Sequence, residues 1–471
     1  MIMEKQNKID LSRRKFLKLT GAGAVATTAA LYGCGSNNNV SAGGGTMGEV
    51  PTDKMSYRIN PHTGDKLSLL GYGLMRLPLR TNSRGEEEVD QDTVNELVDY
   101  ALAHGVNYFD TAPLYVRGWS EPATGIALSR HPRDKYFVSS KMSTHGPTAD
   151  KSLRNSMAMY ERSFNNLKVD YLDYYLLHSV GAGGMENYLE RFETNGLLKQ
   201  LIKERESGRI RNLGFSFHEN IDVFHRILDS DIQWDFALIQ LNYIDWQNAK
   251  PENNTYGYRN TNAEYLLSEL KKKNIPAMVM EPLLGGRLAR VPAGALSLMK
   301  EVNPNDTPAK WAFRFAANHE NVLSVLSGMT YMEHLQENIR TYAPFEPLND
   351  TEIETLAQVA VIMNDADFIQ CTTCQYCMPC TYGLNIPEIF DHYNRCVNAG
   401  RILKSSTDEN YRRARREFLI GYDRNVEKIR QAAHCTGCKL CEPKCTQGLK
   451  ISEEMRRVDN YAELLKQKKD F

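Results

Sequence analysis

From about residue 55 the chain alternates short apolar runs with longer stretches whose apolar residues recur every three or four positions. The short runs fall at 68–74, 107–110, 136–141, 171–178, 212–216, 236–242, 277–281 and 322–327. Rich in Val, Leu, Tyr and Phe, they read as strands. The longer stretches at 92–103, 148–167, 197–206, 221–228, 263–273 and 308–318 read as amphipathic helices, VNELVDYALAH in the first showing the period. Eight strands interleaved with helices between 55 and 347 predict an α/β chain with a closed (β/α)8 TIM barrel. A doubly wound open sheet is the alternative, but no glycine fingerprint follows the first strand. Past 347 the strand pattern stops. Residues 348–370 and 382–434 read as helical, and a charged helical tail starts near 452, so 348–471 predicts a smaller α-helical domain.

The N-terminal 54 residues follow neither pattern. Ser12-Arg13-Arg14-Lys15-Phe16-Leu17-Lys18, then a mildly apolar run, resembles a twin-arginine export signal. Leu31-Tyr32-Gly33-Cys34 resembles a lipobox, which makes 1–34 the signal and Cys34 a candidate lipid anchor; simple cleavage nearby is the other reading. The Gly21–Ala26 stretch matches a loose dinucleotide-loop pattern but follows no strand. Residues 35–54 begin with Gly, Ser and Asn and read as a flexible tether. The expectation is a periplasmic protein or a membrane-anchored lipoprotein. With 471 residues, 24% of them charged, and a formal net charge of −1, the chain carries no electrostatic footprint for nucleic acid.

Eight of the ten cysteines form two tight runs: Cys371, Cys374, Cys377 and Cys380, then Cys435, Cys438, Cys441 and Cys445. Such spacing turns several thiolates toward one point, as [4Fe–4S] clusters require. Zinc and disulfides are the bland alternatives; zinc sites more often pair one CxxC with a distant second pair. Two clusters in a helical domain are ferredoxin-like. Ferredoxin logic assigns Cys371, Cys374, Cys377 and Cys445 to one cluster, and Cys435, Cys438, Cys441 and Cys380 to the other. The first run has two residues rather than three before its fourth cysteine. Cys396, outside both runs, reads as a small buried hydrophobe. Clusters must form where thiols stay reduced, and the twin-arginine route exports proteins already folded and loaded, so the two motifs agree.

The ends of the predicted strands carry the chemistry, because barrel active sites sit at the C-terminal rim. The second strand ends in Asp110 within FDTAPLY, with Tyr115 just beyond. The third ends in Lys141 within SSKM, the fourth in His178 within LLH. With GFS, QLNY, MEPLLGGRL and VLSGM…LQENI, these motifs resemble the aldo-keto reductase family, in the branch with C-terminal iron–sulfur motifs. The resemblance implies a catalytic tetrad of Asp110, Tyr115, Lys141 and His178, an NADP or NAD cofactor, and a small carbonyl or alcohol substrate. Tyr115 then supplies a proton to the developing alkoxide, Lys141 lowers the phenol's pKa, Asp110 keeps Lys141 charged, and His178 polarises the carbonyl. It also implies that Ser216 and Gln240 hold the nicotinamide carboxamide. Pro282, Leu283, Gly285, Gly286 and Arg287 would lie along the pyrophosphate, with Gln336 and Asn338 near the adenosine. Two departures concern the cofactor. Gly328-Met329-Thr330 and Glu333-His334 stand where NADP forms often place Lys and Arg, and Phe217-His218 follows Ser216 where Asn is usual.

One difficulty is electron counting. A nicotinamide releases two electrons as hydride, whereas each cluster accepts one, so a flavin or a redox partner protein is expected to divide the pair. The reading is an exported oxidoreductase interconverting a carbonyl and an alcohol, coupled to electron transfer through two clusters. Its rival is a membrane-tethered electron-transfer or scaffold subunit whose barrel is not catalytic.

Overall fold

The computed structural model of the protein describes residues 49–144, 149–248 and 262–467. The export signal, Cys34 and most of the tether lie outside the described residues.

Eight parallel strands close into a barrel: β1 (Leu70–Gly73), β2 (Tyr108–Asp110), β3 (Phe137–Met142), β4 (Leu172–Val180), β5 (Ile210–Phe217), β6 (Phe236–Gln240), β7 (Ala277–Met280) and β8 (Val322–Ser327). β8 closes on β1 through Val325 opposite Leu70 and Ser327 opposite Tyr72. All nine residues of β4 are buried. Its near-continuous apolar run is what a strand covered on both faces requires. Inside the barrel, Tyr108, Tyr174 and Phe236 meet edge to face, with Leu176, Leu238, Met278 and Leu323 filling around them. The larger core lies between the strands and the outer helices. Helix Ile221–Leu228 illustrates it: Val223, Phe224, Ile227 and Leu228 face inward, and the Asn220 side chain caps the N-terminus by accepting from Asp222 N and Val223 N.

Two short hairpins precede the barrel helices. Tyr57–Ile59 pairs with Lys66–Ser68, and Leu79–Thr81 with Glu87–Val89. The first takes Ser68 out of the barrel strand expected at 68–74.

Beyond the barrel, helix Asp350–Asp365 packs on helix Ala293–Val302, and its Leu356, Val359, Ala360 and Met363 enter the barrel's core. A second core begins at Ile369 rather than at 348. It joins helices Ile386–Asn398, Tyr411–Asn425 and Ile451–Gln467 through Ile389, Phe390, Tyr393, Phe418, Met455 and Val458. Cys396 is buried there, 3.7 Å from His392 Nε2, as a small hydrophobe would be. Among the described residues no helix is long and apolar enough to cross a membrane.

Candidate active site

The C-terminal ends of β2, β3 and β4 bring Asp110, Lys141 and His178 to one rim. Tyr115 follows β2 on the short turn Tyr115–Gly118. That turn is pinned from below: Ser120 Oγ donates to Leu74 O (2.7 Å) and lies 2.6 Å from Thr111 Oγ1. All four tetrad side chains are buried and face one cleft of about 1250 Å³. The Lys141 ammonium donates to Asp110 Oδ1 and, at 2.7 Å, to Thr111 O, and its Nζ stands 4.8 Å from the Tyr115 ring centre. The His178 ring meets Tyr115 edge to face at 5.9 Å. Its Nδ1 lies 2.6 Å from Ser143 Oγ, and buried Arg191 donates to the carbonyls of His178 and Ser179. The imidazole's plane is thus fixed from behind.

Electrostatics modify the expectation for the phenol. Burial pushes the Asp110 carboxyl up and the Lys141 ammonium down, and each is the other's main counterweight. Burial also carries Tyr115 well above the ordinary phenol value, helped by Tyr376, Asp110 and Glu281. Lys141 is not among the leading causes of that shift; its ammonium is bonded to Asp110 and stands beside the Tyr115 ring. Burial, with Arg191 and Lys141 nearby, lowers His218 to about 4, so a neutral imidazole lines the same cleft.

The expected nucleotide residues are arranged unevenly. Ser216, Pro282, Leu283, Gly285, Gly286, Arg287 and Asn338 line the cleft; Gln240 and Gln336 do not. Ser216 Oγ accepts from Ser179 N at 2.8 Å, Gln240 Nε2 donates to Asp245 at 2.6 Å, and Asn338 Nδ2 donates to Ser327 Oγ at 2.9 Å. The loop of Gly285 and Arg287 meets the C-terminal domain. Arg287 donates to Gln370 Oε1 (2.6 Å) and lies over the Phe368 ring. Gly285 has φ +67, and a Cβ there would come 2.1 Å from Thr372 O. Only glycine permits that approach. Arg76 donates to Thr372 O (2.6 Å) and Thr373 O (3.2 Å), and Gln447 reaches Gln240 Oε1 at 3.5 Å. The first cysteine run thereby sits across the barrel mouth, and Cys371 and Cys374 line the same cleft as the tetrad.

Within that domain, Cys371, Cys374, Cys377 and Cys445 surround one small cavity floored by Ile386, Pro387, Phe390, Leu449 and Ile451. The four are mutual electrostatic neighbours. Thr373 N donates to Cys371 Sγ (3.3 Å) and Leu449 N to Cys445 Sγ (3.4 Å). Burial first, and the Cys374 thiol second, push Cys445 up to about 12. Cys441 likewise neighbours Cys438 and Cys380, while Cys435 packs against the same core. The described cysteines are free thiols, and no group of three or more His, Cys, Asp or Glu among the described residues is arranged to hold a single metal ion.

Sequence reasoning missed Tyr376, Ser143, Arg191, Arg76 and His218. Ser143 had a local signal, standing two residues after Lys141 beyond the same strand. His218 had one too, standing directly after the fifth strand; Tyr376, Arg191 and Arg76 meet the site through tertiary contacts.

Comparison with known proteins agrees with the barrel fold. The model of the aldo/keto reductase family matches residues 69–361. The chain is 26% identical over 327 residues to L-galactose dehydrogenase of Arabidopsis thaliana, covering 66% of this chain and 95% of that one. It is 32% identical over 140 residues to D-arabinose 1-dehydrogenase of Saccharomyces cerevisiae, covering 29% and 39%. The holo form of an aldo-keto reductase from Bacillus halodurans superposes with a TM-score of 0.51 at 21% identity, over 65% of this chain and 96% of that one, which shows the shared fold.

Proposed function

The chain belongs to the aldo/keto reductase family, and from that premise we propose that it interconverts a small-molecule carbonyl and its alcohol with NADP or NAD. The observation that carries this reading is the meeting of Asp110, Lys141, Tyr115 and His178 at one barrel rim. A bound nicotinamide supplies or accepts the hydride. The chain's own residues handle the proton. Tyr115 gives its hydroxyl proton to the developing alkoxide and takes it back in the oxidative direction. Lys141 places a positive charge beside the phenolate left behind, Asp110 keeps that charge in place, and His178, braced through Nδ1 by Ser143, turns its other edge to the carbonyl oxygen. Tyr115→Phe removes the transferable proton and leaves the ring. It should lower NAD(P)H-dependent carbonyl reduction by about 10²-fold or more with an unchanged near-UV spectrum; turnover at the wild-type rate would exclude Tyr115 as the acid.

The cysteine runs add a second component to the proposal: two [4Fe–4S] clusters, one on Cys371, Cys374, Cys377 and Cys445, the other on Cys435, Cys438, Cys441 and Cys380. Support for the first set comes from its enclosure around one cavity and the backbone N–H groups aimed at its sulfurs, a pattern that favours thiolate ligands over thiols. A flavin or redox partner protein would bridge the two-electron and one-electron steps. Export through the Arg13-Arg14 signal, with Cys34 as a lipid anchor, completes the proposal.

The second reading, a tethered electron-transfer or scaffold subunit with a silent barrel, is favoured by one feature. Arg287 already engages Gln370 and Phe368 instead of standing open for phosphate. Fluorescence titration with NADPH and NADH separates the two: saturable binding supports the enzyme, and none at millimolar nucleotide supports the scaffold.

A further inference from the structure

His178 sits where β4 departs from regular pairing. The register with β5 shifts between Leu177 and Val180, and Ser179 has φ +56. A bulge of this kind re-aims a side chain, and three contacts hold it here. Buried Arg191 donates to the carbonyls of His178 and Ser179, and Ser179 N donates to Ser216 Oγ at 2.8 Å. The third contact is Ser143, the residue directly after β3, which is buried with its Oγ 2.6 Å from His178 Nδ1. The Ser143 hydroxyl has one alternative acceptor among the described residues, Lys141 O at 3.4 Å. That separation exceeds the ordinary O–H···O range of about 2.5–3.0 Å.

We propose that Ser143 is a positioning residue of the barrel site: its hydroxyl donates to His178 Nδ1 and so places the ring proton on Nε2, where it can point at a carbonyl oxygen. The catalytic consequence rests on the carbonyl–alcohol reading above. A neutral imidazole carries one N–H and one lone pair, and the partner of one nitrogen decides the role of the other. Two arrangements are open. With the proton on Nδ1, that N–H donates to Ser143 Oγ, the hydroxyl proton is left to Lys141 O at 3.4 Å, and Nε2 turns a lone pair toward an oxygen that only accepts. With the hydroxyl donating to Nδ1, the 2.6 Å contact takes the hydroxyl proton and Nε2–H meets the carbonyl oxygen. The second arrangement leaves no buried proton without a close acceptor. A backbone carbonyl or a carboxylate at Nδ1 would enforce the first, because neither has a proton to give; a serine hydroxyl has one. In the reductive direction the carbonyl carbon takes hydride from reduced nicotinamide, which is oxidised, and the oxygen takes the Tyr115 proton. His178 holds that oxygen through Nε2–H throughout, so the imidazole and the Ser143 hydroxyl leave the step as they entered it.

Nitrogen-15 NMR of the full-length, histidine-labelled protein at about pH 8, above the ordinary imidazole range, reads the ring directly. His178→Gln identifies the His178 signals by their loss. The wild type should show the proton on Nε2 and Nδ1 as the bare nitrogen, and Ser143→Ala should move both nitrogens to intermediate shifts. A proton on Nδ1 in the wild type, or a Ser143→Ala pattern like that of the wild type, overturns the assignment. Kinetics test the consequence. Ser143→Ala should lower kcat for ketone reduction about tenfold with the KM for nucleotide unchanged, and Ser143→Thr, which keeps the hydroxyl, should restore both the rate and the ring signals. A threonine variant as slow as the alanine one would mark a packing role and also overturn the proposal. The NMR arm needs neither nucleotide nor turnover, so the two claims fail separately. A protein that reduces no ketone yet shows the Nε2–H pattern, lost in Ser143→Ala, refutes the enzymatic reading and keeps the Ser143 assignment.

Discussion

Lys141 concentrates the chemistry of the barrel rim in one atom. Its ammonium is buried, bonded to a carboxylate and a backbone carbonyl, and set against the face of a tyrosine ring. Burial pulls its pKa down; the Asp110 charge is the first force pulling it back, ahead of Glu121. Asp110→Asn removes the larger restoring force. The prediction has a definite sign: Lys141 loses its proton at lower pH in the variant, so activity falls as pH rises and is best preserved on the acid side. Relative to wild type, the variant's kcat/KM should drop about 100-fold at pH 8 and by much less at pH 6. A pH–rate profile checks this, and a deficit constant across pH would mean that Asp110 acts through geometry alone. At this scale the sequence was legible wherever function sits at a strand end. Asp110, Lys141 and His178 announce themselves by closing apolar runs. Tyr376 does not, because it reaches the cleft from the C-terminal domain, far along the chain from the strand ends, and the cysteines around it point to different chemistry.

Among the elements, helices and strands were read closely where a cap or a covered face fixes them. Strand β8 and helices Leu197–Glu206 and Ile221–Leu228 match their expected bounds. The helix expected from 148 begins at Leu153, because the Ser152 side chain accepts from Asn155 N and ends the non-helical approach there. The attachment of helix Asp350–Asp365 to the barrel was not legible. It depends on Glu352, which closes a capping box with Asn349 and is also bonded twice by Arg314 of helix Pro308–Ala317, at 2.5 and 3.0 Å. Burial would raise the Glu352 carboxyl, but Arg314, the Asn349 backbone and Asn303 together hold it below the ordinary carboxylate range. A depressed folded-state pKa contributes stability that is full above the unfolded value and is lost as pH falls through the folded value. Glu352→Gln leaves the buried Arg314 with only Asp306, 3.7 Å away, as a charge partner and should cost about 3 kcal/mol at pH 7. Urea midpoints of variant and wild type should then converge as pH falls through the depressed folded value, where the wild-type carboxyl is itself protonated. A gap that does not narrow as pH falls would show that the pair contributes shape and not charge.

For the whole molecule, the two cores have unequal means of support. The barrel core is large, closed, and free of cysteine. The second core is small and contains Cys377 and Cys445 among its buried members, with Cys371, Cys380, Cys435 and Cys441 packed against it. A core of that size with thiols among its central residues is marginal without a metal centre to tie them. Under the cluster proposal, anaerobically prepared protein carries roughly eight irons as two cubanes. Stripping them should release the thiols' hold while the barrel stays folded. Hydrogen exchange should then rise across 369–467 and stay low in the strands between 69 and 361. Exchange that rises equally in both bodies on iron loss would mean that they fold as one unit, and exchange that rises in neither would mean that the eight thiols stabilise nothing through metal.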